Sequence, residues 1–136
     1  MKYNEAIELC DKFIAFLKKE YCINAFIVGS LKRRENDIHD IDLVTTDKIF
    51  KTNKKFFKFK LHDVHIPINI WRVPKSSLKF AKIMLTFNKN NSIVLRAVAK
   101  KRGYLLNNNG IYKDGKPTKI NNKKELLKLL DIHHIK

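Results

Sequence analysis

No apolar run in this 136-residue chain approaches the ~20 residues that a bilayer-spanning helix needs. The first residues, MKYNEAIELC, lack the continuous apolar stretch of a secretory leader. Cysteine is scarce. Cys10 and Cys22 form no Cys-x-x-Cys spacing, which argues against a disulfide framework and a thiolate metal site, so both are expected to be buried, reduced thiols. Internal repeats, linkers and low-complexity tracts are missing as well. These absences lead to the expectation of a soluble intracellular globular protein that makes no membrane contact.

Acidic residues are also few, 13 Asp and Glu against 29 Lys and Arg, for a net charge of +16. A balance this basic implies a polyanion partner, nucleic acid before anionic membrane. Only five of the basic residues are arginine: Arg33, Arg34, Arg72, Arg96 and Arg102. Lysine meets phosphate as a point charge, so contacts to a nucleic-acid backbone should be sequence-tolerant and salt-sensitive. The length suits one core lobe with a small appendage.

Residues 3–20 place apolar side chains at helical spacing. "INAFIV" (23–28) reads as a buried strand broken by Gly29-Ser30, "LKRREN" as a turn or short helix, and "DIDLVTT" (40–46) as a second strand. "FFKFKL" (56–61) and "IPINIWRV" (66–73) alternate, and the short "HDVH" between them predicts a hairpin. From Ser76 the period becomes helical: "SSLKFAKIMLTF", capped by Ser76 or Ser77, then "NSIVLRAVAKKRGY", started by Ser92 and ended by Gly103. "NNNG" and "KDGKP" are turn signals around "IYK", and "NNKKELLKLLDI" is a last helix. The reading is α+β, with a lobe at 1–80 and a smaller basic lobe at 81–136.

Asp40 and Asp42 alternate onto one strand face about 6.6 Å apart. Carboxylates that close repel unless a cation lies between them, and hard divalent ions such as Mg²⁺ take oxygen ligands of this kind. Eleven residues before Asp40, Gly29-Ser30 lets backbone and hydroxyl donors approach an anion, and Lys32 and Arg33 add charged donors. Each fragment alone is commonplace. In this order they describe a site for a metal–nucleotide complex.

The pattern resembles the nucleotidyltransferase superfamily signature. The downstream "VPKSSLKFAKIMLTF" and "LRAVAKKRGYLLNNNGIY" resemble the palm-to-thumb region of family X DNA polymerases, with Arg96-Ala97, Lys101, Gly103-Tyr104, Leu106-Asn107 and Gly110-Ile111-Tyr112 at family spacing. The resemblance covers roughly residues 23–132 and is closest to minimal viral members that keep only palm and thumb. It implies a polymerase-β-like palm with a mixed β-sheet and helices, plus a small α/β thumb. The implied activity is gap-filling repair synthesis on primer-template DNA with dNTP, using two Mg²⁺ or substitute Mn²⁺. The protein would act as a monomer in the cytoplasm or nucleus of a host, or in a virion if viral. No segment matches the lyase domain of larger relatives, nor is there a helix–hairpin–helix glycine pattern.

By that resemblance, Ser30 and Arg33 bind the β and γ phosphates, and Asp40 and Asp42 ligate both metals; Gly29 and Lys32 join the nucleotide-binding candidates from the chemistry of the turn. Asn91 and Ser92 lie near nucleotide-contacting positions, and Arg96 falls where the family meets the minor groove. Lys100 and Lys101 share that helix and, with Tyr104, are the DNA-binding candidates. His39 reads equally as a phosphate contact or a solvated turn histidine. Trp71 reads as core, and His133-His134 as a frayed tail.

The chain departs from the family at the third carboxylate, which the register back from Pro74 places at Asn69. Asparagine offers one carbonyl oxygen but no charge and no useful base. No nearby acid replaces it: Asp63 falls in the hairpin turn, away from the site. "TFN" (86–88) stands where the family has Thr-Gly. Three explanations stay open: an engineered Asp-to-Asn variant, a natural enzyme with weak or Mn²⁺-dependent activity, or a silent homologue that binds nucleotide or nucleic acid. A nucleotidyltransferase with a non-DNA substrate is a further alternative.

Overall fold

The computed structural model describes residues 1–61 and 64–135. His62 and Asp63, where the hairpin turn was expected, lie outside the described residues. The chain divides into two compact units, Met1–Lys75 and Ser76–Lys136.

In the first unit, helix α1 (Tyr3–Tyr21) buries Ala6, Cys10, Phe13 and Leu17, a stripe at spacings of three and four. The stripe lies against a four-stranded sheet of β1 (Ala25–Val28), β2 (Ile41–Thr45), β3 (Phe56–Phe59) and β4 (Ile68–Arg72), ordered β1-β2-β4-β3. β1 and β3 are the edges. β2 and β4 pair in parallel, and the outer pairs are antiparallel. Ile41, Leu43, Ile68 and Ile70 share the face turned to α1 and are fully buried, each stabilising the unit by roughly 1.5–3 kcal/mol. Strand alternation sends Asp42 and Asn69 to the opposite face. Between β1 and β2 lies the one-turn helix α2 (Gly29–Lys32). The segment leading into β2 is pinned to the chain start: the Ile38 amide donates to the Met1 carbonyl at 2.7 Å, and Lys2 pairs with Asp37 at 3.3 Å.

In the second unit a 3₁₀ turn at Lys75–Ser77 leads into α3 (Leu78–Thr86), followed by α4 (Lys89–Lys101). An antiparallel sheet follows, β5 (Leu105–Asn107), β6 (Gly110–Lys113) and β7 (Lys116–Thr118), and α5 (Lys123–Leu129) closes the unit. Its core is built on Phe80, Met84, Leu95, Ile111, Leu126 and Leu130. The unit boundary falls five residues before the one read from sequence, because the apolar stripe of α3 belongs to this core.

Several local expectations change. Asn88, not Ser92, starts α4, its side chain accepting from the Asn91 amide at 2.8 Å. Gly103 follows the end of that helix at φ +84, as the sequence implies. Ser77 holds the N-cap position of α3 but makes no side-chain cap bond. Asp114-Gly115, both at positive φ, join β6 and β7. Trp71 is only half-buried, its ring 5.0 Å from that of Phe56. No helix among the described residues is long and apolar enough to cross a membrane.

The cysteines differ from the expectation of two buried thiols. Cys10 is buried, and burial, helped by the charge of Asp11, pushes its thiol up to about 12. Cys22 is exposed because it ends α1 in a left-handed conformation at φ +55, its amide donating to the Lys18 carbonyl at 3.1 Å. A thiol-selective probe should therefore label one cysteine in the native protein and two in denaturant. Rapid labelling of both in the native state would contradict the buried position of Cys10.

Candidate active site

β1 ends at Val28, and the chain turns sharply at Gly29, which sits at φ +71. A Cβ there would lie 2.9 Å from Asp42 Cβ and closer still to its carboxylate. Glycine is thus required twice, for the left-handed backbone and for room beside Asp42. Gly29→Ala should cost about 1–2 kcal/mol for the backbone alone, several degrees of melting temperature, and should displace the Asp42 side chain. An unchanged melting temperature would show that the turn has room to spare. From this turn Ser30 Oγ reaches the Asp40 carbonyl at 3.5 Å, a long contact that ties α2 to the start of β2.

Asp40 immediately precedes β2, Asp42 lies on it, and Asp42 and Asn69 are direct partners in the parallel ladder. Asn69 is buried, and its Nδ2 donates to Asp42 Oδ1 at 3.0 Å and to Asp40 Oδ2 at 3.3 Å. One neutral amide therefore bridges both carboxylates. Its Oδ1 is buried and, among the described residues, has no hydrogen-bond partner. Burial pushes the Asp42 carboxyl up to about 6, the Asn69 hydrogen bond draws it down, the Asp40 charge raises it, and Arg33 lowers it. Among the described residues no third acid, histidine or cysteine joins the pair.

Arg33 lies close enough to act on Asp42, but its guanidinium Nε and Nη2 both donate to Glu35 Oε2 at 2.6 Å. Sequence spacing does not reveal Glu35, because Arg33 and Glu35 lie in the turn after α2, where neither helical nor strand periodicity assigns partners. Lys32 and His39 are exposed. Lys58 was also missed. It pairs with Asn69 across β3 and β4, so one rung of the sheet reads Val28, Asp42, Asn69, Lys58. Aligning "FFKF" against "INIW" in hairpin register would have revealed it.

The structure thus gathers Gly29, Ser30, Arg33, Asp40, Asp42 and Asn69 into one site on the first unit. Of the other candidates, Lys32 and His39 are exposed on the same unit, and the rest lie on the second. Asn91 and Ser92 are half-buried near the start of α4, while Arg96, Lys100 and Lys101 are exposed along it. Arg96 Nη2 donates to Asn108 Oδ1 at 3.1 Å, and Tyr104 is half-buried with Lys113 Nζ 5.3 Å from its ring centre. They form a basic face of that unit.

The donor set could hold one divalent cation. Two carboxylates supply matching charge, and rotating the Asn69 amide by half a turn would present its unpaired oxygen to the same point.

The architecture is a polymerase-β-like fold, with a mixed sheet and helices. A solved structure of Leishmania infantum polymerase beta, in a ternary P/T complex, matches at a TM-score of 0.74 and 15% sequence identity, over 100% of this chain and 74% of that one. No protein-family model and no curated protein sequence matches the chain.

Proposed function

We propose that this chain is a DNA nucleotidyltransferase of the family X polymerase kind, adding one dNMP to a primer 3′-hydroxyl at a short gap. The observation that carries the reading is the convergence of Asp40 and Asp42 on Asn69 beside the Gly29 turn. The new bond joins the 3′-oxygen to the α-phosphorus, the α–β phosphate bond breaks, and pyrophosphate leaves. Asp40 and Asp42 would hold Mg²⁺ or Mn²⁺, which supplies charge neutralisation for phosphates and for a developing alkoxide. The α2 turn offers the Ser30 hydroxyl to the triphosphate. Arg33 serves the same anion once it exchanges Glu35 for phosphate. Asn69 cannot take the 3′-hydroxyl proton, so that proton passes to water or to a phosphate oxygen. The basic face carrying Arg96, Lys100 and Lys101 meets DNA phosphates.

A second reading is a catalytically silent nucleic-acid binder. It is favoured by the amide bridging the two carboxylates, an arrangement that satisfies both without a cation. Single-nucleotide gap filling on a 5′-labelled primer, with Mg²⁺ and separately with Mn²⁺, decides between them. Extension supports the polymerase. DNA binding without extension under either ion supports the binder.

A further inference from the structure

The sheet face opposite Asp42 and Asn69 carries, beyond the buried core, a run of linked aromatic rings. Phe16 and Tyr21 on α1 have ring centres 5.8 Å apart, Tyr21 meets Phe50 at 4.8 Å, and Phe50 meets Phe57 and Phe59 of β3 at 5.8 and 5.5 Å. Three of these rings remain open to solvent: Tyr21 is 49% exposed, Phe16 47% and Phe50 37%. A core does not need side chains that stay this wet, and exposed aromatic groups in contact mark interaction surfaces. Phe50 and Lys51 both adopt left-handed backbone, φ +51 and +59. That conformation is unfavourable for bulky side chains, and it sets the Phe50 ring at the centre of the run.

The charge around these rings has one dominant sign. Residues 48–61 contain five lysines besides Lys58, which shares the face of Asn69, and no acid, and Lys18 and Lys19 lie in the last turn of α1 beside Tyr21, with Glu20 the one opposing charge there. Lys54 Nζ stands 5.2 Å from the Phe57 ring centre. Exposed rings accept stacked bases and lysines accept backbone phosphate, the combination that binds unpaired strands without sequence preference. A second copy of this chain is disfavoured as the occupant, since each copy carries +16.

We infer that the Phe16–Tyr21–Phe50 surface is a binding site for single-stranded nucleic acid, separate from the Asp40–Asp42 site and on the other face of the same sheet. Stacking on this surface needs neither the carboxylates nor a cation, so it is independent of catalysis.

The test is fluorescence anisotropy in EDTA at 0.2 M salt, with a labelled (dT)12, an abasic 12-mer of equal charge and a 12-bp duplex. The unmodified protein should bind (dT)12 about tenfold or more tighter than the abasic strand. Equal affinities would overturn the inference without any variant. Tyr21→Ala and Phe16→Ala should each lower (dT)12 affinity several-fold and leave the abasic strand unaffected, while Tyr21→Trp retains binding. Equal losses on both strands, or none, would overturn the assignment to this surface. So would a dimer in sedimentation that Tyr21→Ala dissociates.

Discussion

Asn69→Asp is expected to raise single-nucleotide extension by about 10²-fold or more, the scale set by a positioned general base. The new carboxylate would stand on the same rung as Asp42, replacing the amide that now bridges Asp40 and Asp42. It would bring a third negative charge to the cation and an acceptor for the 3′-hydroxyl proton. The same change should weaken the cation-free protein. Two charge-assisted hydrogen bonds would be exchanged for repulsion among three carboxylates on a partly buried face. Its melting temperature should therefore fall below that of the unmodified chain in EDTA and recover with millimolar Mg²⁺. Unchanged extension, with a melting temperature indifferent to Mg²⁺, would mean that no cation uses this rung.

Asp42→Ala, and Asp40→Ala beside it, should abolish whatever extension the unmodified chain performs and leave DNA retention on the basic face largely intact. The fold should tolerate Asp42→Ala, because an ionised Asp42 is itself unfavourable. Its carboxyl is pushed up to about 6 in the folded protein, chiefly by burial, from an unfolded value near 3.9. The folded state therefore binds the proton more tightly. The resulting stability is fully present below about pH 4 and is lost as pH rises through about 6. Cation binding runs the other way: a cation must displace that proton, so its apparent affinity should climb from pH 5 to about pH 7 and then level off. Titration calorimetry with Mn²⁺ at several pH values reads this directly. The Asp42→Ala protein should show neither the binding nor the pH dependence. Persistent extension by either variant would place the reaction elsewhere.

What the sequence disclosed follows from the range of each signal. The strand, the Gly-Ser turn and the paired aspartates lie within twenty residues of one another, so spacing alone locates them. The helices after Ser76 follow from periodicity, although the Asn88 cap was hidden because "NKNNS" offers several capping residues in succession. Asn69 was placed by resemblance, yet its part as a donor to both carboxylates depends on the parallel pairing of β2 with β4, which no local pattern announces. Lys58 becomes visible only once the hairpin register is known. The exposed rings were the least legible: α1, the turn at Phe50 and β3 meet through long-range packing, and Phe50 adopts a backbone conformation that propensity would not assign to phenylalanine. Cys22 was misjudged for a similar reason, since it occupies a left-handed helix end.

The position of β3 at the edge of the sheet has a consequence for handling the protein. Phe56-Phe57-Lys58-Phe59 presents a backbone edge that no other strand of the described residues pairs, of the kind that adds to another molecule's sheet. Lys54, Lys55, Lys58 and Lys60 keep such edges apart by mutual repulsion, a protection that weakens as the screening length shrinks to about 3 Å at 1 M salt. Concentrated salt, or a polyanion added to the point of charge balance, should therefore drive the chain toward sheet-to-sheet aggregation. Solubility would return only when excess polyanion restores a net charge.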